Sequence, residues 1–187
     1  MTNGVSARRD AKSKDIETRK LSALKASKLL GVNNVNLLDL PDNELDTVPF
    51  LNIVKAIEEH INHKKYETLI THFSNDMNID HKLTCKAALT ASRPQPMQTI
   101  RTILTFETPS STDYRSNSFG TPFNPNYFVD ISTFFDLKIK ALSCYKEEIR
   151  EFPHSRSIKA IESHSISRGA SVGLNYAEAF MLERHIG

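Results

Sequence analysis

The sequence lacks several motifs by which large enzyme classes are recognised. It contains no GxGxxG segment and no P-loop, so dinucleotide-binding and nucleotide-triphosphatase functions lose their usual support. We also expect no serine-hydrolase site. There are only 2 cysteines, Cys85 and Cys144, far apart and outside any CxxC pair. Two lone thiols favour a reduced, cytoplasmic protein over one held together by disulfides.

Long apolar runs and blocks of one charge are also missing. No run approaches the roughly 20 residues that a membrane-spanning helix requires, and the N-terminal segment has no apolar signal core. The net charge is +2, with acidic and basic residues interleaved. This pattern does not indicate a nucleic acid or anionic lipid partner. We therefore predict a soluble protein without a transmembrane segment.

Helical and strand-like segments alternate along the chain. We predict one domain over residues 1–187, because this length is enough for one buried core. Apolar spacing predicts helices over 14–30, 48–60, 79–92, 133–152 and 155–168, strands over 32–40, 66–73, 99–108 and 127–132, and a loop over 168–180 entering a short last segment. The order is typical of an α/β fold with a mostly parallel sheet covered by helices on both faces. Residues 1–6 resemble a loop after a strand, so we expect the opening βα unit to be missing.

Polar side chains follow the predicted strands, where ligands bind in α/β sheets. They are His72, Asp76, Asp80 and His81 after one strand, Asp39 and Asp42 after another, and Glu107 after a third. Asp80 and His81 begin a helix, and a carboxylate beside an imidazole could orient a metal ligand. Alternatively, Asp80 caps the helix and His81 is a surface residue. His60 and His63 fit a solvated helix face better than a metal site.

Three later segments could contact a substrate. His154 and Arg156 precede a helix and could hold an anion or a sugar hydroxyl, or the segment is a loop in which Ser155 caps the helix. Tyr176 could donate to an oxyanion, or pack half-buried. The segment with Glu107, Ser110 and Ser111 could supply polar contacts, or be an ordinary loop.

Taken in order, segments from nearly the whole chain resemble one family, the PIG-L/LmbE-like N-deacetylases. They are TNGVSARR, RKLSALKASKLLGVNNVNLLDLPDNELDT, ITHFSNDMNIDHKLTCKAALTASRP, TFETPSST, FNPNYFVDIS, KIKALSCYKEEIREFPHSRS and RGASVGLNYAEAFMLER. The family consists of zinc hydrolases that remove acetyl groups from N-acetylglucosamine-type substrates. The resemblance implies a three-layer, Rossmann-like fold and a small-molecule or glycoconjugate substrate that carries an N-acetylated sugar.

The resemblance also implies roles for individual residues. His81 matches the zinc-ligand histidine of the family's His-Pro-Asp-His motif, and Asp80 matches the catalytic-site aspartate before it. The first histidine of that motif, which assists the reaction at the substrate in the family, is replaced by Asn78 here, and Asn78 is expected to contact the substrate. Glu107 is a further expected substrate contact, and His154, Arg156 and Tyr176 lie in segments that match the mouth of the family's active site.

The family's other motif, Ala-His-Pro-Asp-Asp-Glu, has no counterpart in this chain, which contains no Asp-Asp pair. In the family that motif supplies two zinc ligands and the general base, and a catalytic zinc needs about three protein ligands. We therefore expect weak or absent Zn²⁺ binding and an inactive or severely impaired deacetylase. The alternative is a degenerate, non-catalytic sugar-binding or interaction module. We also expect the exposed sheet edge to cause homo-oligomerisation or pairing with a complementing N-terminal fragment.

Overall fold

A computed structural model describes residues 1–7, 9–10, 12–61 and 65–187. Helices in this part of the chain are α1 (Ser13–Leu29), α2 (Phe50–Ile61), α3 (Ile79–Ala91), α4 (Phe135–Leu142) and α5 (Ile158–Ala170), and strands are β1 (Thr68–His72), β2 (Thr102–Phe106), β3 (Tyr127–Asp130) and β4 (Ala177–His185). Short 3₁₀ turns occur at Leu45–Thr47 and Asn117–Phe119. Of the predicted His60–His63 pair, His63 lies outside the described residues.

The strands form one mixed sheet in the order β1-β2-β4-β3. β1 and β2 are parallel, with His72 opposite Phe106, whereas β4 is antiparallel to β2. The interior strand β2 buries Ile103, Leu104 and Thr105, while the edge strand β1 buries only Thr71. The predicted α/β fold is therefore confirmed, with an antiparallel pair in the sheet.

Three local predictions were wrong. Within the described residues, 32–40 forms no strand and makes only an isolated bridge between Leu40 and Thr2. Leu37 is 44% exposed, so the apolar residues there do not pack as a buried strand would. The helix expected over 133–152 ends at Leu142, and turns follow. The loop expected over 168–180 is instead the end of α5, a short turn and the start of β4 at Ala177. In β4, Ala177, Ala179 and Phe180 are buried.

The chain divides into two compact units. The first comprises 1–43 and 128–178, and in it α1 packs against α4. The second comprises 44–127 and 179–187, and in it α3 packs against α2 and β1. Strand β4 begins in the first unit and continues in the second. The single domain over 1–187 remains a prediction.

The core of the second unit joins α2 to α3. α2 contributes Ile53, Val54 and Ile61, while α3 contributes mainly small side chains, including Cys85 and Ala88. Small side chains let helices approach closely, and burying one isoleucine stabilises the fold by about 1.5–3 kcal/mol. No helix in the described ranges is both long and apolar enough to span a membrane.

Candidate functional site

The parallel pairing of β1 and β2 brings two polar segments together in the second unit. Both strands end at the same edge, because His72 and Phe106 are register partners. The chain leaving β1 supplies Asp76 and then His81 in the first turn of α3. The chain leaving β2 supplies Ser111 and Thr112, which both bond to Asp76. We call Asp76, His81, Ser111 and Thr112 the Asp76 cluster.

Asp76 is fully buried and accepts hydrogen bonds from four donors. These are Asn78 N at 2.9 Å and His81 Nδ1 at 3.1 Å and Ser111 Oγ, all on Oδ1, and Thr112 Oγ1 on Oδ2 at 2.6 Å. Burial raises the pKa of the Asp76 carboxyl, but the bonds from His81, Ser111, Thr112 and Asn78 together hold it well below its usual range. Asp76 is therefore an ionised carboxylate inside the protein.

His81 lies between this carboxylate and a second histidine. The rings of His81 and His72 stack with centroids 3.9 Å apart and planes inclined by 5°. Burial, followed by the nearby His81, lowers the pKa of His72 to about 3, although Asp76 opposes the shift. His72 is therefore neutral near physiological pH. Its Nδ1 atom is buried and has no hydrogen-bond partner among the described residues.

Asn78 and Asp80 shape the start of α3. Asn78 is the N-cap, since its Oδ1 accepts from Asp80 N at 2.8 Å and from His81 N at 3.3 Å. The Asp80 carboxylate is 6% exposed and accepts from Leu45 N at 3.0 Å. The carboxylate beside the His81 ring is thus Asp76, which the sequence placed among the polar residues after β1 without indicating a contact with His81. Thr112 also went unnoticed, because no sequence signal connects residues some 36 positions apart.

The cluster contains Ser, His and Asp but lacks the geometry of a nucleophilic triad. A triad places its serine on one imidazole nitrogen and its carboxylate on the other. Here Ser111 Oγ lies 3.5 Å from His81 Nδ1, the same atom that contacts Asp76. Ser111 donates its proton to Asp76, so it is held as a support for the carboxylate.

A second serine, Ser171, lies in a sequence pattern of serine hydrolases but not in the backbone turn that such a serine requires. Residues 169–173 read GASVG, which fits the pattern GxSxG. In hydrolases the serine of this pattern lies on a sharp turn from a strand into a helix. Ser171 instead ends helix α5, where its hydroxyl donates to Arg168 O at 2.8 Å. The sequence match therefore does not create a nucleophile site.

The predicted contacts His154 and Arg156 belong to the first unit. His154 Nδ1 accepts from Arg156 N at 3.0 Å, and the Arg156 guanidinium pairs with Glu148. Arg19 of α1 pairs with the same Glu148 carboxylate at 2.9 Å. Helix α5 is capped by Ser157, whose hydroxyl accepts from Ala160 N. The alternative in which Ser155 is the cap was wrong.

Tyr176 and Glu107 occupy different settings. The Tyr176 ring stacks on Phe135 with centroids 4.2 Å apart, and its hydroxyl donates to Glu162 at 3.3 Å. It is half-buried, as the packing alternative expected. Glu107 is half-buried directly after β2, in the second unit. Within the described residues, no group of three or more His, Cys, Asp or Glu side chains could hold a metal ion.

One comparison with known proteins identifies a family. Residues 1–92, which include the start of α3, match the family PIG-L, GlcNAc-PI de-N-acetylase. A comparison with curated proteins found no match.

Solved structures share the fold at identities too low to indicate activity. N,N'-diacetylchitobiose deacetylase from Pyrococcus horikoshii has a TM-score of 0.72 and 17% identity, with 97% of this chain and 68% of that one covered. The A40926 pseudoaglycone deacetylase Dbv21 gives 0.67 and 17%, with coverages of 92% and 73%. GalB, the 4-carboxy-2-hydroxymuconate hydratase of Pseudomonas putida KT2440, gives 0.72 and 17%, with coverages of 97% and 78%. Residues 1–92 therefore match the PIG-L family, and the chain shares the α/β fold of these solved structures.

Proposed function

We propose that this chain takes part in the hydrolytic removal of an N-acetyl group from an N-acetylated sugar, with His81 as a zinc ligand. The supporting observation is the position of His81. It lies in the segment matched by the PIG-L family, at the strand edge where α/β folds bind ligands, and its Nδ1 contacts a buried carboxylate. A histidine that ligates a metal through one nitrogen usually donates from the other to such a partner.

The match to the family indicates a reaction class, whereas the fold alone does not. Two of the similar structures are deacetylases, one of N,N'-diacetylchitobiose and one of the A40926 pseudoaglycone, whereas a third is a hydratase. One fold can support unrelated reactions, so the structural likeness cannot choose between them. The PIG-L match favours de-N-acetylation, because the matched family is described by that activity.

The residues present fit a metal ion only in part. A bound zinc would supply a Lewis acid and an activated water, but it needs about three protein ligands. His81 has the chemistry of one ligand. The nearby Asp76 is surrounded by four donors, and Asp80 accepts from Leu45 N. The described residues therefore do not form a complete zinc site. We propose that the chain by itself is inactive or severely impaired.

Other residues of this region have supporting parts in the proposal. Asn78 and Asp80 would fix the first turn of α3 and hence the place of His81. Glu107, next to the strand edge, would contact the substrate. We also propose that His154, Arg156 and Tyr176 of the first unit contact the substrate. Variants of these three residues, separate from those of the Asp76 cluster, would test this.

The test combines metal binding, sugar binding and turnover. Zn²⁺ binding is measured by calorimetry, binding of N,N'-diacetylchitobiose by saturation transfer to its acetyl methyl protons, and hydrolysis by amine release. We expect weak Zn²⁺ binding that H81A abolishes and the exposed-site control H164A retains. We also expect sugar binding with no amine release above the blank.

Each other outcome has a distinct meaning. Stoichiometric zinc together with sustained amine release would overturn the proposed impairment. Identical metal and sugar binding by the wild type and H81A would overturn the assignment of His81. Sugar binding that persists in H81A, without any dependence on metal, would favour the non-catalytic binding module.

A further inference from the structure

We propose that Asp76 is a positioning residue for His81: with Ser111 and Thr112 it fixes the orientation of the imidazole and keeps its proton on Nδ1, so that Nε2 presents a lone pair. This inference concerns the same site as the proposed function, and it rests on that function for the role of His81 as a metal ligand. The placement of the ring and its proton can be measured without substrate or metal.

The first argument comes from the donors around Asp76. Oδ1 of Asp76 is an acceptor, because the backbone N–H of Asn78, which can only donate, bonds to it. Oδ1 receives Asn78 N–H and the Ser111 hydroxyl, and it also lies 3.1 Å from His81 Nδ1. A short contact between this oxygen and an unprotonated nitrogen would oppose two lone pairs. His81 therefore has to be protonated on Nδ1.

The second argument concerns the rigidity of the carboxylate. Asp76 is fully buried, and its other oxygen, Oδ2, accepts from Thr112 Oγ1 at 2.6 Å. Ser111 and Thr112 are themselves 7% and 6% exposed, so water has little access to either donor. Hydrogen bonds on both oxygens prevent the carboxylate from rotating. The acceptor facing His81 thus stays in one place.

The third argument concerns the faces and the backbone of His81. Its ring is stacked at 3.9 Å on His72, which is itself packed against Phe106 at 4.6 Å. Its backbone N–H donates to the α3 cap, Asn78. The ring is thus held on one face by stacking, at Nδ1 by Asp76 and at its main chain by the helix cap. A side chain restrained this way is prepared for directional contact through Nε2.

The experiment measures the tautomer of His81 directly. The full chain is labelled with ¹⁵N-histidine and long-range ¹H–¹⁵N correlations are recorded at pH 8.5 without added metal, where an ordinary histidine is neutral. The His81 signals are assigned by their loss in H81N. We expect the wild type to carry its proton on Nδ1. An unconstrained neutral histidine carries it mainly on Nε2, so the two outcomes are distinct.

Variants separate positioning from simple support of the fold. D76N should shift His81 toward the Nε2-protonated form, because an amide can present N–H in place of an acceptor. The control D42N changes a carboxylate of the first unit, which accepts from Thr2 Oγ1, and should leave the His81 signals unchanged. T112V removes the Thr112 donor to Asp76 and the acceptor of Thr108 N, leaves the Asp76 carboxylate in place, and should produce a smaller shift than D76N.

The proposal is overturned by Nε2-protonated His81 in the wild type, or by folded D76N with an unchanged tautomer. If D76N does not fold, the wild-type spectrum and T112V still decide. A chain with Nδ1-protonated His81 that neither binds zinc nor contacts an N-acetylated sugar would refute the proposed function and leave this inference intact.

Discussion

The carboxylate of Asp80 accepts a hydrogen bond from the backbone N–H of Leu45, at 3.0 Å and across 35 residues of sequence. Leu45 is fully buried and begins a 3₁₀ turn that packs against α3. The bond supplies the buried amide of Leu45 with a carboxylate acceptor. Asp80 thereby connects α3 to the turn before α2, in addition to standing next to His81.

Replacing Asp80 with alanine should destabilise the second unit. D80A leaves the Leu45 N–H buried without its acceptor, which should lower the free energy of unfolding by about 1–3 kcal/mol. Urea denaturation followed by circular dichroism measures the change. The control D39A removes a carboxylate whose side chain is 64% exposed and should change stability by less than about 0.5 kcal/mol. Equal stabilities of D80A and D39A would contradict the structural role.

Glu148 should contribute to the stability of the first unit through two arginines. Its carboxylate, 19% exposed, pairs with Arg19 and Arg156. E148Q removes the charge that separates the two guanidinium groups, and we expect a loss of about 1–3 kcal/mol. The control E178Q affects a more exposed pair with Lys138 and should cost about 0.2–1 kcal/mol. Similar losses for the two variants would argue against a special role of Glu148.

The two cysteines should differ in reactivity. Both are free thiols in the described structure, but Cys85 is fully buried and Cys144 is half-buried. Iodoacetamide at pH 8 should modify one thiol in the native protein and two in urea. Mass spectrometry of the digested protein should locate the native modification at Cys144. Rapid native labelling of Cys85 would show that α3 is less tightly packed than the structure indicates.

Cys85 should also make stability depend on alkaline pH. Burial raises the pKa of its thiol from 9.0 to about 12. Above pH 9 the unfolded state loses this proton while the folded state keeps it, so folding becomes less favourable as pH rises toward 12. Denaturation at pH 8 and pH 10.5 measures the loss. C85A should lack this component, and an equal loss in C85A would exclude Cys85 as its source.

Gly169 should be intolerant of a side chain. A Cβ atom there would lie 2.7 Å from Leu174 O and 3.0 Å from Asn175 C and O, all backbone atoms. Helix propensity favours alanine over glycine by about 1 kcal/mol, but overpacking costs about 1–3 kcal/mol. We therefore expect G169A to lower the thermal midpoint. S163A, on an exposed position of the same helix, should leave it nearly unchanged, and a stabilised G169A would refute the close approach.

Local sequence patterns predicted most helices and strands of the second unit. The helix at Ile79–Ala91 and the strands Thr68–His72 and Thr102–Phe106 appear where the apolar spacing placed them. Predictions failed where burial did not follow the pattern. Residues 32–40 have strand-like composition but form no ladder in the described chain, and the helix from Phe135 ends at Leu142.

The sequence alone determined the fold class, the family resemblance and the place of His81 at the start of a helix, because these depend on periodicity and on local motifs. Only the tertiary structure decided which carboxylate His81 meets. Asp80 is adjacent in sequence, yet its side chain is bonded to Leu45. Asp76 and His81 both lie in the segment after β1, where Asp76 meets the imidazole, and the shared end of β1 and β2 brings Ser111 and Thr112 to the same buried carboxylate. Long-range pairing of strands determines the contacts of Ser111 and Thr112 with Asp76, and no local sequence pattern records that pairing.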